Sequence, residues 1–499
     1  MKETIIAVDI GTQGTKAVLF DLALQTLVSS FEASVLIQPE PGTLWQEPDD
    51  IYGSVLRVVQ ALLHAAPEPV EVLALGVDSQ MAGIMGIAAD GEAATVYDSW
   101  LDSRCERYVT LMRERAGRRV TEITGGPVTF THGPKILWWK HEHPEAYRRV
   151  AKFVLPHGYV VGKICGLDAR AAVFDHTGLQ YSGFGDNLHL CWSEELLETF
   201  DIEADKMARV VSPFAVVGTT SRAFAAATGL RAGTPVTAGA GDTAASLFGA
   251  GLFAQNRLLD CAGTASVLCA LTDTFVPDTR FGTVTMMRAP EDGFWYPLAY
   301  ISGGGLCLRW FRDQFTGTPP VSYRALDEEA AGLEPGSEGV VFVPHFAGRV
   351  LPSDTALKGG FTGLDWKHSR AHLYRAVMES IAYEYAYYLS VLRALYPTGD
   401  FGQLVSIGGG AQSELFLQIK ADVLGVGASY YRTGDTALIG SAAIAGKAVG
   451  VIDDPHARIQ DTLQVARTLP CDAAAHARYG PCVRRYLRVL EAMSALSRF

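Results

Sequence analysis

A short sequence pattern near the N-terminus returns in the second half of the chain. The pattern is an apolar run that ends in Asp, a turn with Gly and Thr, and a second apolar run, and it occupies 5–20 and again 258–268. Two β-type runs joined by a small glycine-bearing loop predict a β-hairpin. Either hairpin alone is equally compatible with an ordinary β-turn. The pair favours two loops that face each other across a cleft, where glycine amides and a threonine hydroxyl bind a polyphosphate from both sides.

The rest of the chain alternates strand-like and helix-like runs, which is typical of α/β domains with mixed sheets. The apolar runs predict strands over 72–77, 234–238 and 403–407, and the amphipathic runs predict helices over 51–63, 306–315 and 413–424. The second copy of the hairpin indicates where a second domain begins. We therefore expect one domain over 1–249 and another over 250–499, hinged about a shared cleft, with a helical stretch after about Asp453.

Charge and cysteine usage exclude several classes of protein. The net charge of −12 argues against nucleic acid or an anionic membrane as the main partner, because both require basic surfaces. The eight cysteines are dispersed without C-x-x-C spacing, as expected for apolar thiols in a reducing compartment. Asp9 interrupts any apolar signal core near the N-terminus, so a secretory signal is not expected. These observations predict a cytoplasmic protein that binds neither nucleic acid nor membrane.

Several glycine-containing segments are candidates for binding a nucleotide. Besides the two hairpin loops, glycine clusters precede the predicted helices over 306–315 and 413–424, whose N-terminal amides favour phosphate. The candidate nucleotide-binding residues are Gly11, Thr12, Gln13, Lys16, Gly263, Thr264, Gly305, Gly409, Gly410 and Ser413.

Asp242 is the strongest single candidate for catalysis. It follows the predicted strand 234–238 in a turn with glycine on its N-terminal side, and small residues follow it. A carboxylate exposed at the end of a strand suits a general base that accepts a proton from a hydroxyl group. The structural alternative is that Asp242 caps a helix that begins at Thr243.

The same turn supports a second interpretation, a dinucleotide-binding oxidoreductase. The segment 239–244 matches G-x-G-x-x-A after a strand, and Asp260 follows about 20 residues later, where a ribose-binding acid is expected. Against this interpretation, Asp242 places a carboxylate where pyrophosphate would bind. The repeated hairpin also remains unexplained.

Many ordered motifs resemble one known family over nearly the whole chain. They begin with Asp9-Ile10-Gly11-Thr12 and end with 408–414, and between them lie 44–48, 76–81, 100–104, 134–138, 240–245, 359–364, His372-Leu373 and 376–379. On these residues the chain resembles the FGGY carbohydrate kinases, and most closely their xylulokinase branch.

The resemblance implies a fold of two duplicated ribonuclease-H-like domains of the actin/hexokinase type around a central cleft. It also implies ATP and Mg²⁺ as cofactors, Asp242 as the catalytic base, and Asp9 and Asp242 near the metal. The domain over 1–249 would hold the sugar and the first phosphate hairpin, and the domain over 250–499 the nucleotide. The sugar site implied by the motifs consists of Gln80, Met81, Ala82, Trp100, Asp102, Asp242 and Thr243.

The sugar itself stays open, because the chain departs from the family pattern. Xylulokinases have His where this chain has Ala82, and typically Asn where it has Thr243, while glycerol kinases have Arg-Glu in place of Met81-Ala82. A lost His removes a hydrogen bond to a sugar hydroxyl. A ketopentose such as xylulose is expected, with ribulose, gluconate or glycerol as alternatives.

A nucleotide-switched scaffold related to actin is a non-enzymatic alternative, and a homodimer is left open.

Overall fold

The computed structural model describes residues 1–498, and most of its helices pack against two large sheets. The strands are β1 Lys2–Ile10, β2 Gly14–Asp21, β3 Thr26–Ala33, β4 Trp45–Gln46, β5 Val70–Ser79, β6 Met85–Ile87, β7 Tyr97–Asp98, β8 Lys152–Val154, β9 Val173–Asp175, β10 Gly185–Asp186, β11 Cys191–Trp192, β12 Arg209–Val211, β13 Val216–Thr219, β14 Pro235–Thr237, β15 Ala240–Gly241, β16 Arg257–Ala262, β17 Ser266–Ala270, β18 Thr285–Arg288, β19 Trp295–Ile301, β20 Val341–Val343, β21 Gly360–Thr362, β22 Gln403–Ile407, β23 Gly427–Arg432 and β24 Gln464–Leu469. The helices are α1 Pro48–His64, α2 Glu106–Thr124, α3 His132–Glu142, α4 Pro144–Arg149, α5 Pro156–Cys165, α6 Leu179–Ser182, α7 Glu194–Thr199, α8 Arg222–Thr228, α9 Asp242–Gly249, α10 Gly304–Phe315, α11 Tyr323–Ala331, α12 Arg370–Leu395, α13 Glu414–Leu424, α14 Thr436–Ala448, α15 Pro455–Thr462 and α16 Ala473–Leu496.

The two sheets repeat one topology. The first has the order β13-β14-β5-β1-β2-β3, with β15 also paired to β5, and the second has the order β18-β19-β17-β16-β22-β23-β24. In each sheet a hairpin, β1/β2 or β16/β17, is antiparallel, and its first strand then pairs in parallel with a later strand, β5 or β22. This confirms the predicted duplication of an α/β core with a hairpin at the start of each copy.

The predicted elements lie where the sequence pattern put them, with one correction. The strand over 403–407 matches β22, and α13 is capped by Ser413 and ends at Gly425 in the left-handed conformation, as expected for its sequence. The stretch after Asp453 is not helical throughout, because β24 pairs with β23 at the edge of the second sheet. Val465, Arg467 and Leu469 lie at every second position of β24, a pattern that is compatible with an edge strand. Pairing with β23 supplies the hydrogen-bond partners of its backbone.

One helix of the second half of the chain packs against the first sheet. Helix α14 lies against β1, β5 and α9, and its side chains form one hydrophobic core with Ile5, Ala7 and Ala74. The contact with α9 is close: a Cβ added at Gly440 would lie 2.1 Å from the carbonyl oxygen of Ala245. The absence of a side chain at Gly440 therefore lets the two halves of the chain meet. Within residues 1–498 no helix is both long and apolar enough to span a membrane.

We predict that Gly440→Ala lowers the free energy of unfolding by about 1–3 kcal/mol, because the added methyl group overpacks the α9–α14 contact. Gly162→Ala is the matched control, because Gly162 also lies inside a helix but a Cβ added there would meet no atom within 4 Å among residues 1–498, apart from its chain neighbours and its own helix backbone. The control should be neutral or more stable by up to about 1 kcal/mol, since alanine is the better helix former. Chemical denaturation of both variants measures the difference. Equal stabilities would contradict the prediction.

Candidate active site

Three carboxyl groups lie together at one end of the first sheet. Asp9 lies near the end of β1 directly opposite Asp78 of β5, and β15 pairs with β5 so that Ala240 is opposite Asp78. Asp242 follows β15 at once as the first residue of α9. Asp78 is completely buried, whereas Asp9 and Asp242 are partly exposed. The parallel pairing of these strands therefore concentrates negative charge at a single edge of the sheet.

The surroundings of these carboxyl groups favour their protonated forms. Burial raises the pKa of Asp242 to about 7, and the nearby Asp9 carboxylate adds to this rise. Burial also raises the pKa of Asp9 to about 6, although the neighbouring carboxyl group of Asp78 opposes the shift. The pKa of Asp78 is well above its usual range because of burial and the Asp9 charge. Removal from water disfavours the charged form, and a like charge reinforces the effect. Near neutral pH, Asp242 is therefore poised between its acidic and basic forms.

Asp242 is not the helix cap considered from the sequence. Gly241 holds the N-cap position of α9, and Asp242 already has helical backbone geometry. The Asp242 Oδ1 atom accepts hydrogen bonds from the backbone N–H of Thr243 at 2.5 Å and from its hydroxyl at 3.0 Å. Thr243 therefore orients the carboxyl group of its neighbour.

The carboxyl oxygens at this edge also fit a magnesium ion. Asp9 Oδ1 and Asp78 Oδ1 are buried without a hydrogen-bond partner among the described residues, and Asp78 Oδ2 accepts a 2.6 Å bond from Ser441 Oγ. Carboxylate oxygens are the ligands that Mg²⁺ prefers, usually together with phosphate and water. Over residues 1–498 no cluster of three or more His, Cys, Asp or Glu side chains is arranged to hold a metal by itself. Any magnesium here would accordingly need other oxygens as well.

The first hairpin loop joins residues that the sequence assigned to different ligands. Thr12 Oγ1 donates to Gln80 Oε1 at 3.1 Å and accepts from Trp100 Nε1 at 2.9 Å. Gln80 Nε2 in turn donates to Gln46 Oε1 at 2.6 Å. A predicted phosphate-loop residue and two predicted sugar residues are thus parts of one network beside Asp9.

The two other predicted residues of this loop differ in their surroundings. Gln13 is exposed at the tip of the loop. Lys16 is partly buried and forms an ion pair with Asp435, which directly precedes α14. The first hairpin is therefore linked to the second half of the chain by opposite charges.

The second group of predicted nucleotide residues lies at one end of the second sheet. Gly263 and Thr264 are exposed in the β16–β17 loop, and the carbonyl oxygens of both accept bonds from the first turn of α10, including a 3.1 Å bond from the Gly305 N–H. Since β16 and β22 are parallel neighbours, Gly409 and Gly410 follow at the same edge. Ser413 caps α13 by accepting from the Phe416 N–H at 3.1 Å. The amide of Gly305 and the hydroxyl of Ser413 thus already have protein partners.

Among the predicted sugar residues, Gln80, Met81 and Asp102 are buried. Asp102 accepts hydrogen bonds from the Leu44 N–H at 2.8 Å, the Arg104 N–H at 3.0 Å and Arg104 Nε at 2.7 Å. The carboxylate of Asp102 therefore holds the loop that carries Trp100. Met81 packs beneath Gly241, where an added Cβ would lie 2.4 Å from its sulfur. Ala82 has a φ of 63°, in the left-handed region that residues with a Cβ rarely adopt.

Sequence reasoning missed several polar groups around Asp242, including Asp78. The charge of Asp242 contributes to the raised pKa values of Tyr97 and Tyr181, after burial as the larger cause. His132 lies edge-on to Tyr181 with ring centroids 6.4 Å apart. The Tyr97 hydroxyl and both His132 ring nitrogens are buried without a partner among the described residues. Asp78 lies within the motif 76–81, but only the parallel register of β1 and β5 places it beside Asp9.

The dinucleotide interpretation of 239–244 is wrong. Asp260, which would have bound a ribose, is completely buried in the second sheet. Its carboxylate accepts hydrogen bonds from Lys420 Nζ at 2.5 Å, Tyr385 OH at 2.7 Å and Ser406 Oγ at 2.7 Å. A buried carboxylate with these three partners cannot bind a ribose.

The fold and the sequence are similar to those of several known kinases. The structure of a xylulose kinase from Rhodospirillum rubrum superposes with a TM-score of 0.91 at 23% identity, covering 99% of this chain and 100% of that one. The xylulose kinase of Escherichia coli (strain K12) is 28% identical over 98% of this chain and 99% of its own length. A gluconokinase of Bacillus licheniformis is 25% identical over 91% of this chain and 89% of its own length.

Two family models match successive parts of the chain. The N-terminal domain model of the FGGY family of carbohydrate kinases matches residues 4–249, and the C-terminal domain model of the same family matches residues 259–449. Together they cover most of the sequence, including both hairpin loops. The chain belongs to the FGGY family of carbohydrate kinases.

Proposed function

We propose that the enzyme transfers the γ-phosphoryl group of ATP to the terminal hydroxyl of a small neutral sugar, with a ketopentose such as xylulose as the acceptor. The observation that carries this proposal is the position of Asp242. It is a partly exposed carboxyl group with a pKa of about 7, at the sheet edge where the first hairpin loop also ends. A general base works best when its pKa is close to the operating pH.

In this mechanism Asp242 accepts the proton of the sugar hydroxyl as its oxygen attacks the γ-phosphorus in line. The bond between the γ-phosphorus and the bridging oxygen breaks, and ADP leaves with the electron pair. Thr243 keeps the Asp242 carboxyl group oriented through its N–H and hydroxyl. Asp9 would hold a magnesium ion, with Asp242 nearby and with phosphates and water as the other ligands, and the ion when bound would neutralise phosphate charge. Positioning and electrostatic stabilisation supply most of the catalysis in such reactions.

We assign the nucleotide to the two hairpin loops and the sugar to the domain over 1–249. The N–H groups of Gly11 and Gly263 donate to the carbonyl oxygens of Gly14 and Cys261, so the exposed Thr264 and the exposed loop tip at Gln13 are the positions that suit phosphate oxygens. Gly409 and Gly410 lie beside the second loop, where nucleotide binding is also proposed. The domain over 250–499 would accordingly carry most of the nucleotide.

The acceptor side supports a neutral sugar over a sugar acid. Burial lowers the pKa of His132 to about 3, so its imidazole is neutral, and the Tyr97 hydroxyl is neutral as well. The buried cation near His132, Lys135, donates to the backbone carbonyls of Asp102 and Phe130. Neutral donors and acceptors match sugar hydroxyls, whereas a carboxylate is best matched by a cationic partner. Gluconate stays the second candidate, because a gluconokinase is similar to this chain at nearly the same identity as the xylulose kinases.

We expect Asp242→Asn to lower kcat by about 10²–10⁴-fold, because the amide keeps the size of the side chain but cannot accept the proton. The variant should still bind ATP and melt near the wild-type temperature. Asp453→Asn, a change at an exposed residue, is the matched control and should keep full activity. Steady-state kinetics and thermal melting make the comparison. A stable variant with near-normal turnover would remove Asp242 from the role of base.

The raised pKa of Asp242 predicts an acidic limb in the pH profile. Because the base must be deprotonated, kcat/KM should fall by about tenfold per pH unit below a midpoint near pH 7. The ordinary pKa of an aspartic acid would put this limb near pH 4 instead. Initial rates between pH 5 and 9 at constant ionic strength, with stability checked at each pH, measure the midpoint. A profile that is flat down to pH 5 would contradict the assignment.

An acceptor panel tests the sugar. ADP release should be fastest with D-xylulose or D-ribulose, slower with glycerol and slowest with gluconate. Without an acceptor the ATPase rate should be far lower, because closure of the domains over the sugar excludes water. A preference for gluconate would favour the second candidate. An ATPase rate that no acceptor increases would contradict the proposed kinase reaction.

A further inference from the structure

A buried chain of hydrogen bonds lies directly behind the proposed base. Ser79 Oγ is 2.7 Å from His157 Nδ1, and His157 Nε2 is 2.8 Å from Asp175 Oδ2. Asp175 Oδ1 accepts from the N–H of Thr177 at 2.9 Å and also from its hydroxyl. Thr177 Oγ1 then accepts a 2.9 Å bond from the N–H of Gly241, the residue before Asp242.

The pairing of β5 with β15 joins the two ends of this chain of hydrogen bonds. Ser79 ends β5 and Gly241 ends β15, and these two residues are opposite each other in the parallel pairing of the strands. His157 in α5, Asp175 at the end of β9 and Thr177 in the turn that follows complete the circuit. We call these five residues the Ser79–Gly241 loop, which is a closed circuit of hydrogen bonds and not a continuous segment of backbone. It joins the two strand ends that carry Asp78 and Asp242.

The polar groups of the loop have consistent donor and acceptor roles. The His157 side chain and the Thr177 hydroxyl hold the pKa of Asp175 below its usual range, although burial opposes them, so this side chain is a carboxylate that only accepts. His157 Nε2 therefore donates to Asp175, and Nδ1 shares a hydrogen bond with the Ser79 hydroxyl. On the other side Gly241 donates to Thr177 and Thr177 donates to Asp175. A fully satisfied buried network of this kind makes its surroundings rigid.

The serine, histidine and aspartate of the loop have the order of a hydrolase triad, but they cannot act as one. Ser79, His157, Asp175 and Thr177 are each at most 1% exposed. A nucleophile has to reach its substrate, and these side chains are enclosed by protein and already bonded to one another. Their effect on the reaction must pass through the backbone that they hold.

We propose that His157, Asp175 and Thr177 are positioning residues that fix the Gly241–Asp242 backbone and thereby the direction of the Asp242 carboxyl group. This inference rests on the proposed role of Asp242 as the base. The bond to Gly241 is the only side-chain bond that the loop makes to this turn among residues 1–498. Proton transfer and in-line attack both depend on geometry, and a misplacement of about 1 Å can cost on the order of 100-fold in rate.

Thr177→Val tests the proposal, because valine has nearly the same shape but no hydroxyl for Gly241 or Asp175. We expect kcat to fall by about tenfold or more, with KM for ATP changed by less than about twofold. Thr177→Ser restores the hydroxyl and should recover kcat to within about threefold of wild type. The assay is ADP release with the acceptor used fastest in the panel of D-xylulose, D-ribulose, glycerol and gluconate. Valine and serine variants with equal kcat would overturn the proposal.

A double-mutant cycle separates positioning from general loss of stability. In an Asp242→Asn background there is no base left to misplace, so Thr177→Val should lower the residual kcat by less than about twofold. A merely structural effect would lower kcat by the same factor in both backgrounds, and that result would overturn the proposal. The melting temperature of each variant identifies any that are unfolded at the assay temperature.

Ser79→Ala opens the loop from the opposite side and replaces Thr177→Val if that variant does not fold. It leaves the Gly241–Thr177 bond in place, so kcat should fall by a smaller factor, about three- to tenfold, and again only while Asp242 is present. Unchanged kcat in this variant would count against the loop. A wild-type enzyme that is inactive with every acceptor would overturn the proposed function and this inference with it, whereas an active enzyme that tolerates Thr177→Val would overturn the inference alone.

Discussion

The parallel pairing of β5 with β1 on one side and β15 on the other is the constraint on which the site depends. Parallel strands end at the same edge of a sheet, so the residues that follow them are brought together whatever their distance in sequence. Here the shared edge collects Asp9, Asp78 and Asp242. Three carboxyl groups at a partly buried edge repel one another and lose hydration, and both effects raise the pKa of Asp242. The same pairing therefore determines where the proposed base lies and the pH range in which its carboxyl group is deprotonated.

The second half of the chain reaches this edge through α14. Ser441 donates to Asp78, and Ser246 of α9 is bonded to Thr436 at the start of α14 at 2.6 Å. Asp435, one residue earlier, pairs with Lys16 of the first hairpin. These polar contacts surround a hydrophobic core that α14 shares with the first sheet. A movement of the second half relative to the first would consequently change the contacts of Asp78 and Lys16, beside the proposed site.

Much of the fold could be predicted from the sequence because it rests on local patterns. The hairpins around Gly11 and Gly263 combine apolar strands with a glycine turn, and α13 carries its own cap and stop signals, so each could be identified from a few neighbouring residues. Strand β24 could not, because its partner β23 supplies the hydrogen bonds that make it a strand. Asp242 stood out by its turn, whereas Asp78 is one polar residue in an apolar run and gains meaning only from the strand beside it.

The role of a site residue likewise depends on contacts with residues that are distant in sequence. Thr12, Gln80 and Trp100 were assigned to two different ligands, and the structure joins them because the loops that carry them meet beside β1. Asp102 has a carboxylate of the kind that binds sugar hydroxyls, but it also accepts three hydrogen bonds from Leu44 and Arg104, which hold its own loop in place. A polar residue in a motif is thus equally compatible with binding a ligand and with holding a loop. What decides between them is whether its oxygen atoms still lack partners after the chain has folded, as the Oδ1 atoms of Asp9 and Asp78 do.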